Sequence, residues 1–142
     1  MGRVMPTVKL SNLFDIQKAE EGFIASSEVR RLEVEALVET GATALVLTEE
    51  IAAALGLVDR GTRKVRYADG RIGDARVVAG VVLEIVGREM TGEALVPPGA
   101  HRVLIGQIPL EALDLVVDPK SRDVRVNPES PDAPLLDLYR VA

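Results

Sequence analysis

The high valine content is the feature that most limits the fold classes open to this chain. The sequence holds 20 valines among its 142 residues, whereas tryptophan is absent and aromatic residues amount to 3%. Valine is stiff at its first side-chain torsion and fits the pleated surface of a sheet better than a helix. The chain is therefore expected to form a β-rich domain with an aliphatic core.

Apolar and polar residues alternate along several short segments, which predicts strands. In 29–39, Leu32, Val34 and Ala36 share one face, and charged residues take the other. The same argument predicts further strands at 6–11, 63–67, 72–78 with its continuation to 85, and 90–96. Two short, fully apolar runs, 44–47 and 103–105, are consistent with buried strands.

One helix is predicted at 49–55. Thr48 is a suitable N-cap, Glu49 and Glu50 oppose the helix dipole favourably in the first turn, and Gly56 is a natural stop. The charged segment 12–28 is expected to be a loop, and 109–113 a short helical turn.

Two hairpins are predicted. Asp69-Gly70 between 63–67 and 72–78 is a strong turn signal, and a second hairpin joins 115–118 to 124–126. The tail that follows is expected to pack on this subunit or on a partner, through its apolar residues Leu135, Leu136, Leu138 and Tyr139. The chain is interpreted as one domain, with an N-terminal strand and loop at 1–28, a core at 29–118 and a hairpin and tail at 119–142.

Charge and composition exclude several function classes. The net charge is −5, and nucleic acids and anionic membranes need a basic face, so neither is expected as a partner. With no cysteine and a single histidine, His101, thiolate and multi-histidine metal sites are excluded, and no cofactor or metal is expected. No stretch is long enough to span a membrane and no signal-peptide core is present, so a cytoplasmic location is expected.

The most unusual local feature is an acidic residue, Glu39, directly after a buried strand and before Thr40, Gly41 and Ala42. Ending an apolar strand on a carboxylate costs desolvation energy, and small residues let backbone N–H groups approach that carboxylate. The spacing fits equally well a glutamate that simply emerges into water. From the residues alone, both interpretations stay open.

The stretch 38–43 (Val-Glu-Thr-Gly-Ala-Thr) resembles the Asp-Thr-Gly-Ala active-site turn of the retropepsin-like aspartic proteases, which include the retroviral proteases and bacterial relatives. The order of the later parts is also similar. An apolar strand, a short helix closed by Gly56 and Leu57, a flap hairpin with its tip at 68–73 and an apolar-apolar-glycine signature at 104–106 follow in turn. The similarity covers 29–118.

This resemblance implies a small, closed, all-β barrel with one short helix, and an endopeptidase that acts on peptide or protein substrates. In the family, two carboxylates hold one water and share one proton. Glu39 takes that position here, with Thr40 and Gly41 in the same turn. Because the chain has one such turn, the second carboxylate has to come from a second copy, so a homodimer is implied. The implied substrate-binding residues are Ala42, Tyr67, Ala68, Asp69, Gly70, Ile72 and Gly73.

Glutamate in place of the family's aspartate is a departure. Its extra methylene either crowds the water or turns aside, and a displacement of about 1 Å can cost on the order of 10²-fold in rate. Reduced activity is therefore expected. Two alternatives remain open, a catalytically silent relative that binds peptides in the same cleft and a plain structural homodimer.

The other polar candidates have simpler interpretations. Tyr67 either packs within the hairpin or covers substrate. His101 is expected to be a surface loop residue. Asp114, Asp118 and Asp123 lack the spacing of a calcium loop and are expected to serve turns.

Overall fold

The computed structural model describes residues 3–138 of the protein. Within this range there are nine strands, namely β1 (Thr7–Asn12), β2 (Arg31–Val38), β3 (Leu45–Val46), β4 (Val58–Arg66), β5 (Ile72–Ile85), β6 (Arg88–Val96), β7 (Val103–Ile105), β8 (Leu115–Asp118) and β9 (Asp123–Val126). The helical elements are α1 (Leu13–Glu20), a 3₁₀ turn (Ser26–Glu28), α2 (Glu49–Ala54) and α3 (Gln107–Ala112).

Six of these strands close into a barrel. The order around it is β1-β2-β7-β3-β6-β5, and a further pairing between β1 and β5 completes the ring. Strand β4 pairs with β5 outside the ring, and β8 and β9 form a separate two-stranded sheet. The all-β class and the small closed barrel expected from the sequence are confirmed.

The barrel core is aliphatic, as the valine-rich composition predicts. The largest fully buried side chains include Leu10, Leu47 and Ile105. Both phenylalanines lie at the surface, where Phe14 is 40% exposed and Phe23 is 76% exposed. Each core side chain contributes about 1.5–3 kcal/mol through burial, so many modest contacts take the place of a few large aromatic ones.

Strand β5 joins the barrel to the β4–β5 hairpin. Its first half pairs with β4 and its second half with β1, and Gly80 lies at the change of partner. Gly80 has a φ of +86°, and the ring of Phe14 would stand 2.5 Å from a Cβ built there. Glycine is therefore required at this bulge for two reasons, the left-handed backbone and the close aromatic ring.

The expectation of a loop at 12–28 is wrong for its first half, which forms α1. Asn12 caps this helix, because its Oδ1 accepts a hydrogen bond from the Asp15 N–H at 3.0 Å. The same side chain donates to the Leu55 carbonyl oxygen at 2.7 Å, which ties α1 to the end of α2. Asn12, directly before Leu13, is a typical N-cap residue, but the charged residues that follow it favour the interpretation as a loop.

Asp15 is buried at the base of α1 and pairs with Arg30. The Arg30 Nε lies 2.8 Å from Asp15 Oδ2, and Nη2 lies 3.0 Å from Oδ1. Hydrogen bonds from the Arg30 guanidinium lower the pKa of this carboxyl group from 3.8 to about 2. The ionised form is therefore favoured in the folded state.

This pair makes a prediction about acid stability. A depressed folded-state pKa stabilises the protein above pH 3.8, and that contribution is lost as the pH falls from about 4 towards 2. In Asp15→Asn, the free energy of unfolding is expected to fall less steeply over this window in urea titrations. Asp132→Asn, an exposed change in the tail, serves as the control. Equal slopes for Asp15→Asn and the parent would contradict the assignment.

The C-terminal hairpin forms where the sequence predicts it, as β8 and β9. The tail behaves differently, because Leu135, Leu136 and Leu138 are 66%, 60% and 79% exposed. The expectation that these three pack on their own subunit is wrong, and packing on a partner stays a prediction. Tyr139, named with them, lies outside the described residues.

In residues 3–138, no helix is both long enough and apolar enough to cross a membrane.

Candidate active site

Glu39 lies in the turn that leaves the barrel at the end of β2. Its backbone N–H donates to the Ile105 carbonyl oxygen at 3.0 Å, so the backbone of Glu39 is still attached to β7. Its own carbonyl oxygen accepts a hydrogen bond from the Ala42 N–H at 3.0 Å, which closes the turn. The Glu39, Thr40 and Gly41 residues are exposed to solvent.

The Glu39 carboxylate folds back onto this turn. The Gly41 N–H donates to Glu39 Oε1 at 3.1 Å. A Cβ built on Gly41 would stand only 3.2 Å from the same oxygen, so glycine leaves room for the approach. A backbone N–H on an acceptor carboxylate restricts the orientation of the longer glutamate side chain.

A second segment, 105–108, braces the turn. The Gln107 and Ile108 N–H groups donate to the carbonyl oxygens of Ala42 and Thr43, each at 2.8 Å. The Gly106 N–H donates to the Ala44 carbonyl oxygen at 3.1 Å. Strands β2 and β7 are parallel neighbours, so the residues that follow them meet at one edge of the barrel.

Gly106 is required at this brace by packing. A Cβ built there would lie 2.5 Å from the Ala44 carbonyl oxygen and 2.7 Å from the Ala44 nitrogen, and these are backbone atoms that cannot rotate away. The apolar-apolar-glycine signature at 104–106 therefore supports the Glu39 turn, a contact that the sequence pattern does not predict. The signal that could have found it is a glycine directly after a fully apolar run.

The β4–β5 hairpin, here named the flap, forms a tight turn at its tip. The Tyr67 N–H donates to the Arg71 carbonyl oxygen at 2.8 Å, and the Gly70 N–H donates to the Tyr67 carbonyl oxygen at 2.9 Å. The Arg71 guanidinium lies 5.3 Å from the centre of the Tyr67 ring. The ring also contacts Gly73, whose built Cβ would be 3.3 Å from Tyr67 Cε2. The ring therefore has packing partners inside the hairpin.

The remaining flap residues of the predicted site lie at the surface. Ala68, Asp69 and Gly70 are exposed, and Ile72 is 60% exposed although it is apolar. In residues 3–138, no hydrogen bond or ion pair joins the flap tip to the turn at 39–42. Within the described chain, the turn at 39–42 and the flap tip are thus two groups without a polar contact between them.

Thr40 lies on one wall of a groove that is completed by α3, β8 and the tail. We name it the Thr40 groove. Its lining includes the apolar residues Ile108, Val116, Leu135 and Leu136, which are between 40% and 66% exposed. An apolar surface of this kind, beside the exposed turn, has the character of a contact surface.

Asp114 and Asp118, near the last hairpin, accept hydrogen bonds from backbone and side-chain groups close to them. Asp118 Oδ1 accepts from the Lys120 N–H at 2.9 Å, and this bond lowers the pKa of the Asp118 carboxyl group. Asp114 accepts from the Ser130 hydroxyl, the Asn127 amide and the Leu135 N–H, which lower its pKa to about 2. Across the described part of the chain, no group of three or more His, Cys, Asp or Glu residues is placed to hold a metal ion.

Residues 26–112 match the family model described as gag-polyprotein putative aspartyl protease. None of the curated proteins matches the chain. The matched segment starts just before β2 and ends with α3, so it contains the Glu39 turn, the flap and the brace. Because it covers more than half of the 142 residues, the chain belongs to this family of aspartyl protease domains.

Proposed function

We propose that the protein is an aspartic-type endopeptidase that acts as a homodimer, with one Glu39 from each copy at a shared two-fold axis. The observation that carries this proposal is the Glu39 turn itself. It combines an exposed acidic side chain, a Gly41 N–H on the carboxylate at 3.1 Å and a brace from 105–108. Its sequence, Glu-Thr-Gly-Ala, resembles the Asp-Thr-Gly-Ala turn with glutamate in place of aspartate, in a chain of the aspartyl protease family.

The homodimer is needed because one chain supplies one carboxylate of this kind. Two features support it. The Thr40 groove presents exposed apolar side chains next to the turn. The β8–β9 hairpin packs on the core through Val124, but in the described residues neither of its outer edges pairs with another strand. A second copy would cover both.

In the proposed reaction, the two glutamate side chains hold one water and share one proton, because two like charges this close cannot both ionise. The ionised Glu39 takes a proton from the water, whose oxygen attacks the carbonyl carbon of the peptide bond. The protonated Glu39 of the other copy gives its proton to the carbonyl oxygen. The Glu39 that took the proton from water then gives it to the amide nitrogen, and the other Glu39 takes back a proton from a hydroxyl group of the tetrahedral intermediate. The carbon–nitrogen bond breaks, and a carboxylic acid and an amine are released.

The flap would lie over the bound peptide, with Ala42 below it and the backbone of the tip above. Tyr67, Ala68, Asp69, Gly70, Ile72 and Gly73 are the flap residues proposed to contact substrate. The exposed Ile72 is the apolar side chain available for this contact. Tyr67 would act mainly by keeping the tip rigid, since its ring is engaged by Arg71 and Gly73.

A second candidate function is a catalytically silent dimer that binds peptides in the same cleft. Glutamate in place of aspartate favours it, because the added methylene shifts the carboxylate relative to the water. The endopeptidase and the silent dimer are distinguished by incubating the protein with a peptide library at mildly acidic pH and detecting new peptide termini by mass spectrometry. Cleavage supports the endopeptidase, and binding without cleavage supports the silent dimer.

The dimer proposal predicts that Val116→Lys, in β8, weakens self-association by at least about tenfold, because a charge replaces an apolar contact at the interface. The measurement is sedimentation velocity over a concentration series. Val58→Lys, in β4, is the matched control, since the two valines are 40% and 41% exposed. A monomeric parent, or equal effects of the two changes, would contradict the proposed interface.

A further inference from the structure

The flap is basic in a protein that is otherwise acidic. Residues 58–78 contain six Lys and Arg residues and three Asp residues, a net charge of +3, whereas the whole chain carries −5. The net charge of this segment is therefore opposite in sign to that of the whole chain. Such a patch attracts anionic groups over about a Debye length, which is near 8 Å at physiological ionic strength.

Most of these cations are already paired. The ion pairs of the flap join Arg63 to Glu93, Lys64 to Asp74, Arg71 to Asp69, and Arg76 to Glu49 and Asp59. Among residues 3–138, neither Arg60 nor Arg66 takes part in an ion pair. These two exposed guanidinium groups are available to an external anion.

Arg66 is the better placed of the two. It is the last residue of β4, at the base of the flap tip, and its direct cross-strand neighbour is Ile72. Residues directly opposite in an antiparallel pair share one face, with Cβ atoms about 4.5–5.5 Å apart. Arg66 therefore lies directly opposite an apolar residue, Ile72, that is 60% exposed. An apolar residue next to an acidic one would match this pair.

We propose that the flap selects acidic peptides, with Arg66 as a specificity-determining residue that pairs with a carboxylate flanking the scissile bond. This inference rests on the proposed function, because it places the substrate beneath the flap. A guanidinium can bind a carboxylate through two parallel hydrogen bonds, so Arg66 recognises both the charge and the shape of Asp or Glu. The two flaps of a dimer would present this pair twice.

The basic residues on β4 have an alternative explanation, which is protection of an edge strand from association. In the described residues β4 pairs only with β5, and charged side chains on an edge strand discourage association with other edges. That use predicts more aggregation when Arg66 is neutralised and no change in peptide preference. The proposal predicts a change in peptide preference.

The test uses two fluorescent peptides that differ only in flanking Glu or Gln residues, with binding measured by fluorescence anisotropy. The Glu peptide is expected to bind about two- to fivefold more tightly at low salt, the range of one exposed ion pair, and the difference should vanish near 0.5 M salt. Arg66→Gln should abolish the preference, and Arg66→Lys should retain part of it. Lys18→Gln, on α1, is the charge-matched control and should leave the preference unchanged.

A cleavage assay on the same peptides supplies an independent readout, in which Arg66→Gln should raise KM for the Glu peptide and leave kcat nearly unchanged. Equal binding of the Glu and Gln peptides to the parent overturns the inference. Arg66-dependent binding of a single-stranded oligonucleotide without a peptide preference overturns it too. Preference for the Glu peptide with no cleavage by the parent or by Glu39→Asp refutes the endopeptidase and leaves the flap inference standing. Cleavage by the parent without a preference for the Glu peptide refutes the flap inference and leaves the endopeptidase standing.

Discussion

Replacement of Glu39 by alanine is expected to abolish peptide cleavage, and replacement by aspartate is expected to increase it. The alanine variant removes both the base that activates water and the acid that protonates the carbonyl oxygen. General acid–base catalysis is worth about 10²–10⁴-fold, so the loss should exceed about 10³-fold. The aspartate variant withdraws one methylene and returns the carboxylates to the separation that suits one shared water, with a gain on the order of 10²-fold.

These rates are measured as kcat/KM at mildly acidic pH on a peptide that the library identifies. Glu35→Ala is the matched control, because Glu35 is an exposed glutamate in β2, the strand that leads into the Glu39 turn. Undiminished cleavage by Glu39→Ala would remove Glu39 from the mechanism. Cleavage by Glu39→Asp alone would instead identify the parent as a disabled protease, in agreement with the silent dimer.

Gly106→Ala is expected to destabilise the folded protein by about 2–3 kcal/mol, through overpacking against backbone. The added methyl group would lie 2.5 Å from the Ala44 carbonyl oxygen, so either the Glu39 turn or the start of α3 has to move. Urea unfolding measures the free energy change. Any cleavage activity should fall together with stability, because the turn loses its brace.

Gly92→Ala is the control for this change. Gly92 lies in β6, and a Cβ built there meets nothing within 4 Å, so alanine should be tolerated or slightly stabilising. If Gly106→Ala were as stable as Gly92→Ala, the turn and the brace would not be in the close contact that the structure shows.

Several elements follow from local sequence alone. Alternation and short apolar runs together identify the barrel strands to within a few residues, and Asp69-Gly70 identifies the flap turn. Thr48 caps α2, with its Oγ1 accepting from the Ile51 N–H at 3.1 Å, as the sequence predicts. These features are readable because the signal and the structure lie within a few residues of each other.

Other features were not readable from local patterns. Helix α1 depends on Asn12, whose side chain bonds both the helix start and the Leu55 carbonyl oxygen, 43 residues away. The support of the Glu39 turn by Gly106 joins two segments that periodicity does not connect. The tail leucines are exposed on their own chain, so hydrophobicity alone does not place them in its core, and the Leu135 backbone is held instead by Asp114.

Residue types and short-range spacing are enough to predict the β-rich class, the aliphatic core and the acidic turn at Glu39. They do not predict which strands close the barrel, which glycine braces the turn or which flap arginines have no ion pair among the described residues. Those outcomes depend on contacts between residues distant along the chain. Such contacts form only when the whole barrel closes, because ordering the chain between them is costly until many contacts form together.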